Sequence, residues 1–138
     1  MRLYAQPSDL TPVWVDTEPA NASRLIRDAS GLVEDAALMA RYSTDDDGYP
    51  TDPTVREAFR NAVCKQVAIW HAGNLDPDKG PTGQTPHLTG ESAGSGSVSY
   101  SGAASTQELG IAATTLADGA LAILRRAGLM KPEVVYLR

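Results

Sequence analysis

A chain of 138 residues, 42% of them hydrophobic, holds one modest core and is too short for two ordinary domains. Its 17 acidic and 12 basic side chains give a formal charge of -5, which removes the cationic surplus that grips phosphates and disfavours direct nucleic-acid binding. The single cysteine, Cys64, excludes an internal disulfide; no Cys/His cluster has zinc spacing, and no apolar run has the length of a signal segment or of the roughly 18 residues of a membrane span.

The first expected element is one or two helical turns at Pro7-Ser8-Asp9-Leu10-Thr11-Pro12-Val13-Trp14, capped by Ser8 or Asp9, with Leu10, Val13 and Trp14 available for packing. Asn21-Ala22-Ser23 supplies caps for a longer helix reaching about Arg41. At 100° per residue, Leu25, Ile26, Ala29, Leu32, Val33, Ala36, Ala37 and Ala40 share one face, while Arg24, Arg27, Asp28, Glu34 and Asp35 share the other.

Tyr42 to Pro53 carries aspartates, a glycine and prolines, a composition that stops helices and makes turns. Asp45, Asp47 and Gly48 have a calcium-loop flavour, but in that register Ser43 takes the first ligand position and Thr54 the twelfth, where a bidentate Glu belongs; an acidic turn is the better reading. Pro53 after Asp52 starts a second helix running to about Gly73, because a first-turn proline loses no bond and an aspartate complements the positive helix end. Its apolar side holds Val55, Phe59, Ala62, Val63, Val67, Ile69 and Trp70. Gln66 interrupts that stripe and needs a partner if buried. Cys64 and Ala68 form a smaller second face, suited to a neighbouring subunit. Cys64 in mid-helix reads as packing rather than as a reactive thiol, and His71 and His87 stand isolated, without a nucleophile elbow or a phosphate-cradling loop.

From Asn74 to about Gly110 the composition turns to Gly, Ser, Thr and Pro, an insert in which Val98 and Tyr100 alternate with serines at strand period, as in a short β-hairpin arm. A third helix follows at about Thr115 to Ala127, with Leu116, Ala117, Ala120, Leu121, Ile123 and Leu124 on its apolar face. Gly128 ends it, and Arg125 and Arg126 complement its negative end. Beyond Pro132, the apolar residues Val134, Val135, Tyr136 and Leu137 make a poor solvated tail and predict docking on the chain's own core or on a partner. The fold class expected is mainly α: a small bundle of three main helices with a short N-terminal helix, a long Gly/Ser-rich insert and an extended C-terminal tail over residues 129–138.

The layout resembles the head-to-tail connector, or adaptor, proteins of long-tailed bacteriophages, particularly those of actinobacteria. The resemblance spans most of the chain: Tyr4-Ala5-Gln6-Pro7-Ser8-Asp9-Leu10; Asn21 to Ser30 with Leu32-Val33-Glu34; and, most specifically, Tyr42-Ser43-Thr44-Asp45-Asp46-Asp47-Gly48-Tyr49-Pro50-Thr51-Asp52-Pro53 leading into Val55-Arg56-Glu57-Ala58 and Ala62 to Val67. Gly96-Ser97-Val98-Ser99-Tyr100 and Leu121 to Leu129 complete it. The resemblance implies one adaptor domain over residues 1–138 and a non-enzymatic virion protein of the neck, made in the host cytoplasm, without metal, cofactor or membrane contact. It implies a homo-oligomeric ring, usually of twelve subunits, beneath the portal protein and above a head-tail stopper or tail terminator, with genomic DNA passing through the channel without specific binding. On that reading Leu129, Met130, Val134, Val135, Tyr136, Leu137 and Arg138 dock on portal or neighbour, Gly96, Val98 and Tyr100 reach the channel or next ring, and Cys64 and Ala68 meet an adjacent subunit. A small helical regulatory or antitoxin-like protein-binding module is the alternative.

Overall fold

The computed structural model of the chain describes residues 2–79 and 111–129. The described residues are mainly helical, with α1 at Ala22–Ala36, α2 at Pro53–Ala72 and α3 at Asp118–Arg126, and short 3-10 turns at Pro7–Asp9 and Pro77–Lys79. They divide into two compact units: residues 2–69 with 116–129, and residues 70–79 with 111–115.

In the first unit α1 buries Ala22, Leu25, Ile26, Ala29, Ser30 and Val33; of the expected face, Leu25, Ile26, Ala29 and Val33 are buried, while Leu32 and Ala36 are half-buried. Asn21 stands at the N-cap position, but its side chain makes no capping bond. The helix also stops five residues before the expected Arg41. Ala37 is the last residue on the buried face, and after it the chain tightens, Leu38 N–H donating to the Asp35 carbonyl (3.2 Å) and Ala40 N–H to that of Ala37 (2.9 Å). Leu38 and Met39 are thereby turned to solvent at 73% and 67% exposure.

The start of α2 is built as its sequence dictates. Asp52 Oδ1 accepts the Thr54 amide at 2.9 Å ahead of Pro53, and the Asp52 carbonyl takes the first intrahelical bond from Arg56. Val55, Phe59, Ala62, Val63 and Val67 are buried with Leu10, Ala120 and Leu124 in one core. Of the residues expected to pack in the opening turns, Leu10 does so, whereas Val13 is 78% exposed.

α3 is shorter than the expected 115–127, and its end is a tightly specified stop. Gly128 at φ +77° donates to the Arg125 carbonyl (3.0 Å) and Leu129 to that of Leu124 (2.9 Å), while the Leu129 and Leu124 side chains are both buried. This pair of bonds satisfies carbonyls that the helix end leaves over, and the left-handed residue between them is cheapest as glycine.

In the second unit, the end of α2 uses the same device with a different residue. Asn74 at φ +56° donates to the His71 carbonyl and Leu75 to that of Trp70, so the turn residue is Asn74 where the sequence points to Gly73. Trp70 is buried and its indole N–H donates to the Ala112 carbonyl at 3.0 Å. Residues 111–114 are helical, and Thr115 Oγ1 donates back to the Ile111 carbonyl at 2.6 Å, a side-chain bond that competes with continuing the helix.

Candidate functional site

Three elements of the first unit meet at the N-terminal segment, residues 2–6, which runs as a strap across α1, α2 and the turn between them. Tyr4 lies at the centre. Its ring stacks on Phe59 (centroids 4.7 Å apart, 19° between planes) and meets Tyr49 edge-on at 5.8 Å; Tyr42 meets Phe59 edge-on at 5.4 Å. Its amide donates to Ser30 Oγ at 3.2 Å, which gives that buried serine its place on the apolar face of α1. Its hydroxyl donates to Glu34 Oε2 at 2.8 Å, and Arg2 Nε donates to both the Tyr4 hydroxyl (3.2 Å) and Glu34 Oε2 (2.8 Å). Arg2 and Glu34 also form an ion pair at 2.6 Å.

Burial pushes the Tyr4 phenol up to about 12, Glu34 adding to the rise and the bond from Arg2 opposing it. Burial also raises Tyr42. The guanidinium of Arg2 is held above its ordinary value by its bond to Tyr4 first and by Glu34 second. The Tyr4 phenol therefore stays neutral beside the guanidinium of Arg2 at neutral pH.

The turn beneath the strap is organised by one carboxylate. Asp45 Oδ1 accepts the amides of Asp47 (2.9 Å) and Tyr49 (3.0 Å), while its backbone pairs with Tyr49 and Gly48, and Thr44 and Pro50 form an antiparallel bridge. Gly48 has φ +89°, with Arg2 lying over the place where a Cβ would project. The tyrosine at the turn's end takes the Leu3 amide on its hydroxyl at 3.2 Å. So Asp45, a calcium-ligand look-alike in sequence, holds a turn, and Asp47 joins it through its amide. Among the described residues no group of three or more His, Cys, Asp or Glu is placed to hold a metal ion, and no helix is long and apolar enough to cross a membrane.

Between strap, turn and α2 lies an open groove of about 470 Å³, lined by Leu3 and Ala5 from the strap, Asp45, Tyr49 and Pro50 from the turn, and Arg56 and Arg60 from α2. The two arginines are one helical turn apart and point the same way. Arg60 approaches Glu57 only at 3.8 Å. Neither the groove nor the Arg2–Tyr4–Glu34 cluster was legible as a unit in the sequence. Ser30 on an otherwise apolar face and the i, i+4 spacing of Arg56 and Arg60 are the two signals that point to them.

The residues singled out in sequence fall in different places. Cys64, placed by sequence at a subunit contact, is fully buried inside its own chain, its thiol 4.0 Å from the Asp9 carbonyl and pushed up to about 11 chiefly by burial, Asp9 adding and Arg60 opposing. That packing role is the one its mid-helix position indicates, and it leaves no thiol surface for a neighbour; Ala68 is half-buried. Leu129 is also buried, as the residue that closes the end of α3. Gln66, flagged as needing a partner, is fully buried and its Oε1 accepts the Ala117 amide at 2.7 Å. Gly96, Val98 and Tyr100, His87, and the tail from Met130 to Arg138 lie outside the described residues.

Compared with protein-family models, curated proteins and solved structures, the chain matches none of them.

Proposed function

We propose that the chain is a structural virion protein, a head-to-tail adaptor whose copies form a ring under the portal, extend the DNA channel and join head to tail. The observation that carries this reading is the resemblance of the 42–53 phrase and its continuation into α2 to adaptor proteins of long-tailed phages. The phrase corresponds to the turn that ties the strap to both long helices, so the most specific stretch of the resemblance is also the joint of the subunit.

Two features support assembly. Leu38 and Met39 are adjacent, apolar and exposed after the end of α1, and Val134, Val135, Tyr136 and Leu137 form an apolar run; both would gain burial among copies or on a portal. The acidic balance suits a conduit, because a wall that bound DNA tightly would retard its exit. On this reading the arm around Gly96, Val98 and Tyr100 faces the channel or the next ring, and the tail docks on portal or neighbour.

The test is co-expression with the portal protein encoded in the same genome, followed by mass measurement and imaging of the purified assembly. A ring of this chain on the portal is the expected result. A monomer that never co-migrates with portal and is missing from mature particles would overturn the proposal.

A further inference from the structure

We infer that the groove between strap, turn and α2 receives residues 133–138 of a second copy of this chain, with Arg56 and Arg60 taking Glu133; the inference rests on the ring reading and names the contact that joins one subunit to the next. Three observations lead to it.

The first is an unsatisfied backbone. Ala5 lines the groove and is only 7% exposed, yet its amide and carbonyl have no hydrogen-bond partner among the described residues. Buried backbone groups are nearly always paired, so this pair beside a groove is suited to an extended segment laid along it.

The second is charge. Arg56 has no partner among the described residues and Arg60 only the distant Glu57, while Asp9 and Asp45 contribute acids to the same groove. The segment Glu133-Val134-Val135-Tyr136-Leu137-Arg138 carries one acid before its apolar run and one base after it. A mixed groove of this kind selects a segment with both signs and fixes its direction.

The third is side-chain pattern. β-branched and aromatic residues favour an extended backbone, and in a strand alternate side chains face the same way. Either register then presents two apolar side chains, Val134 with Tyr136 or Val135 with Leu137, to a groove that already shows Leu3, Tyr49 and Pro50. A groove of about 470 Å³ has room for such a pair and not for a folded element.

The test uses the full chain carrying a photo-crosslinking phenylalanine analogue at Tyr136, prepared as an equal mixture of isotopically light and heavy copies, with and without portal. After irradiation, mass spectrometry is expected to find light-to-heavy cross-links landing on residues 3–9, 45–50 or 56–60. The double variant R56E/R60E should lower their yield about tenfold, and adding E133K to that variant should restore most of it, as re-pairing of opposite charges requires. Circular dichroism of each variant separates loss of contact from loss of fold. Cross-links confined to one copy, cross-links landing elsewhere or on portal alone, none under either condition, or a yield indifferent to the charge exchange would each overturn the inference. A portal-bound ring without groove cross-links leaves the adaptor reading standing and removes this contact. Groove cross-links between copies that never join portal do the reverse.

Discussion

Replacing Gln66 with methionine deletes a buried amide, its acceptor oxygen and its N–H donors together, while nearly preserving volume. Gln66 is fully buried, and its Oε1 accepts the amide of Ala117 at 2.7 Å, the residue that caps the start of α3. Methionine leaves that amide without its acceptor, at a cost of about 1–3 kcal/mol for a buried donor. The thioether is more apolar than the amide it replaces and recovers part of that cost, so the net loss is about 1–2 kcal/mol, or about 3–8 °C in melting temperature for a chain of this size. Alanine in the same place adds a cavity and brings the loss to about 2–4 kcal/mol. Urea denaturation followed by far-UV circular dichroism measures both, with an unchanged slope showing that the transition itself is the same. If Q66M melts within about 0.5 kcal/mol of the parent, the Gln66–Ala117 bond does not hold α3 on α2 and the account of that junction is wrong.

Three further outcomes follow from single sites. Gly128→Ala meets no steric obstacle, since nothing lies within 4 Å of its Cβ position, but forces an alanine to φ +77°; thermal melts should show a loss of about 1 kcal/mol, and no loss would mean that α3 ends another way. Tyr4 is neutral in folded and unfolded chain below pH 10, so its contribution is constant there and falls as pH rises from 10 through about 12, where the folded phenol ionises. Tyr4→Phe keeps the stack on Phe59 and should flatten that alkaline decline, and an unchanged stability profile between pH 10 and 12 would refute it. Cys64, buried with its thiol pushed up to about 11, should react with a disulfide reagent near pH 8 far more slowly in the folded chain than in urea; equal rates would contradict its burial.

What sequence reading captured and what it missed have separate physical origins. α2 was legible to within a residue at both ends because its start is local chemistry, Asp52 and Pro53, and its stop is a Gly-Asn pair. The choice of Asn74 over Gly73 for the left-handed position depends on which register lets Leu75 and Trp70 both bury, and that is decided by packing. The alanine and leucine period of α1 continues to Ala40, whereas the chain leaves the helix once Ala37 has made the last core contact. α3 starts later than its apolar pattern for the converse reason: Ala117 gives its amide to Gln66, a partner 51 residues away that no local pattern reveals. The strap network is of the same kind, with bonds from Arg2 to Glu34, Tyr4 to Ser30 and Leu3 to Tyr49 that join residues 32, 26 and 46 apart. Periodicity identifies a helix face; it does not say which remote segment covers it.

The turn between α1 and α2 is held by its own side chains and backbone. Asp45 holds the amides of Asp47 and Tyr49, Gly48 supplies a left-handed turn under Arg2, Tyr49 receives the strap's Leu3 amide, and Asp52 caps the helix that Pro53 opens. Each has a backbone bond or a conformation to maintain. Substituting Asp45 would therefore act on the turn, the strap and the groove together. Turn and cap chemistry of this kind holds a surface in shape. The surface so held is the groove, where the unpaired backbone of the strap and the two outward arginines of α2 lie side by side.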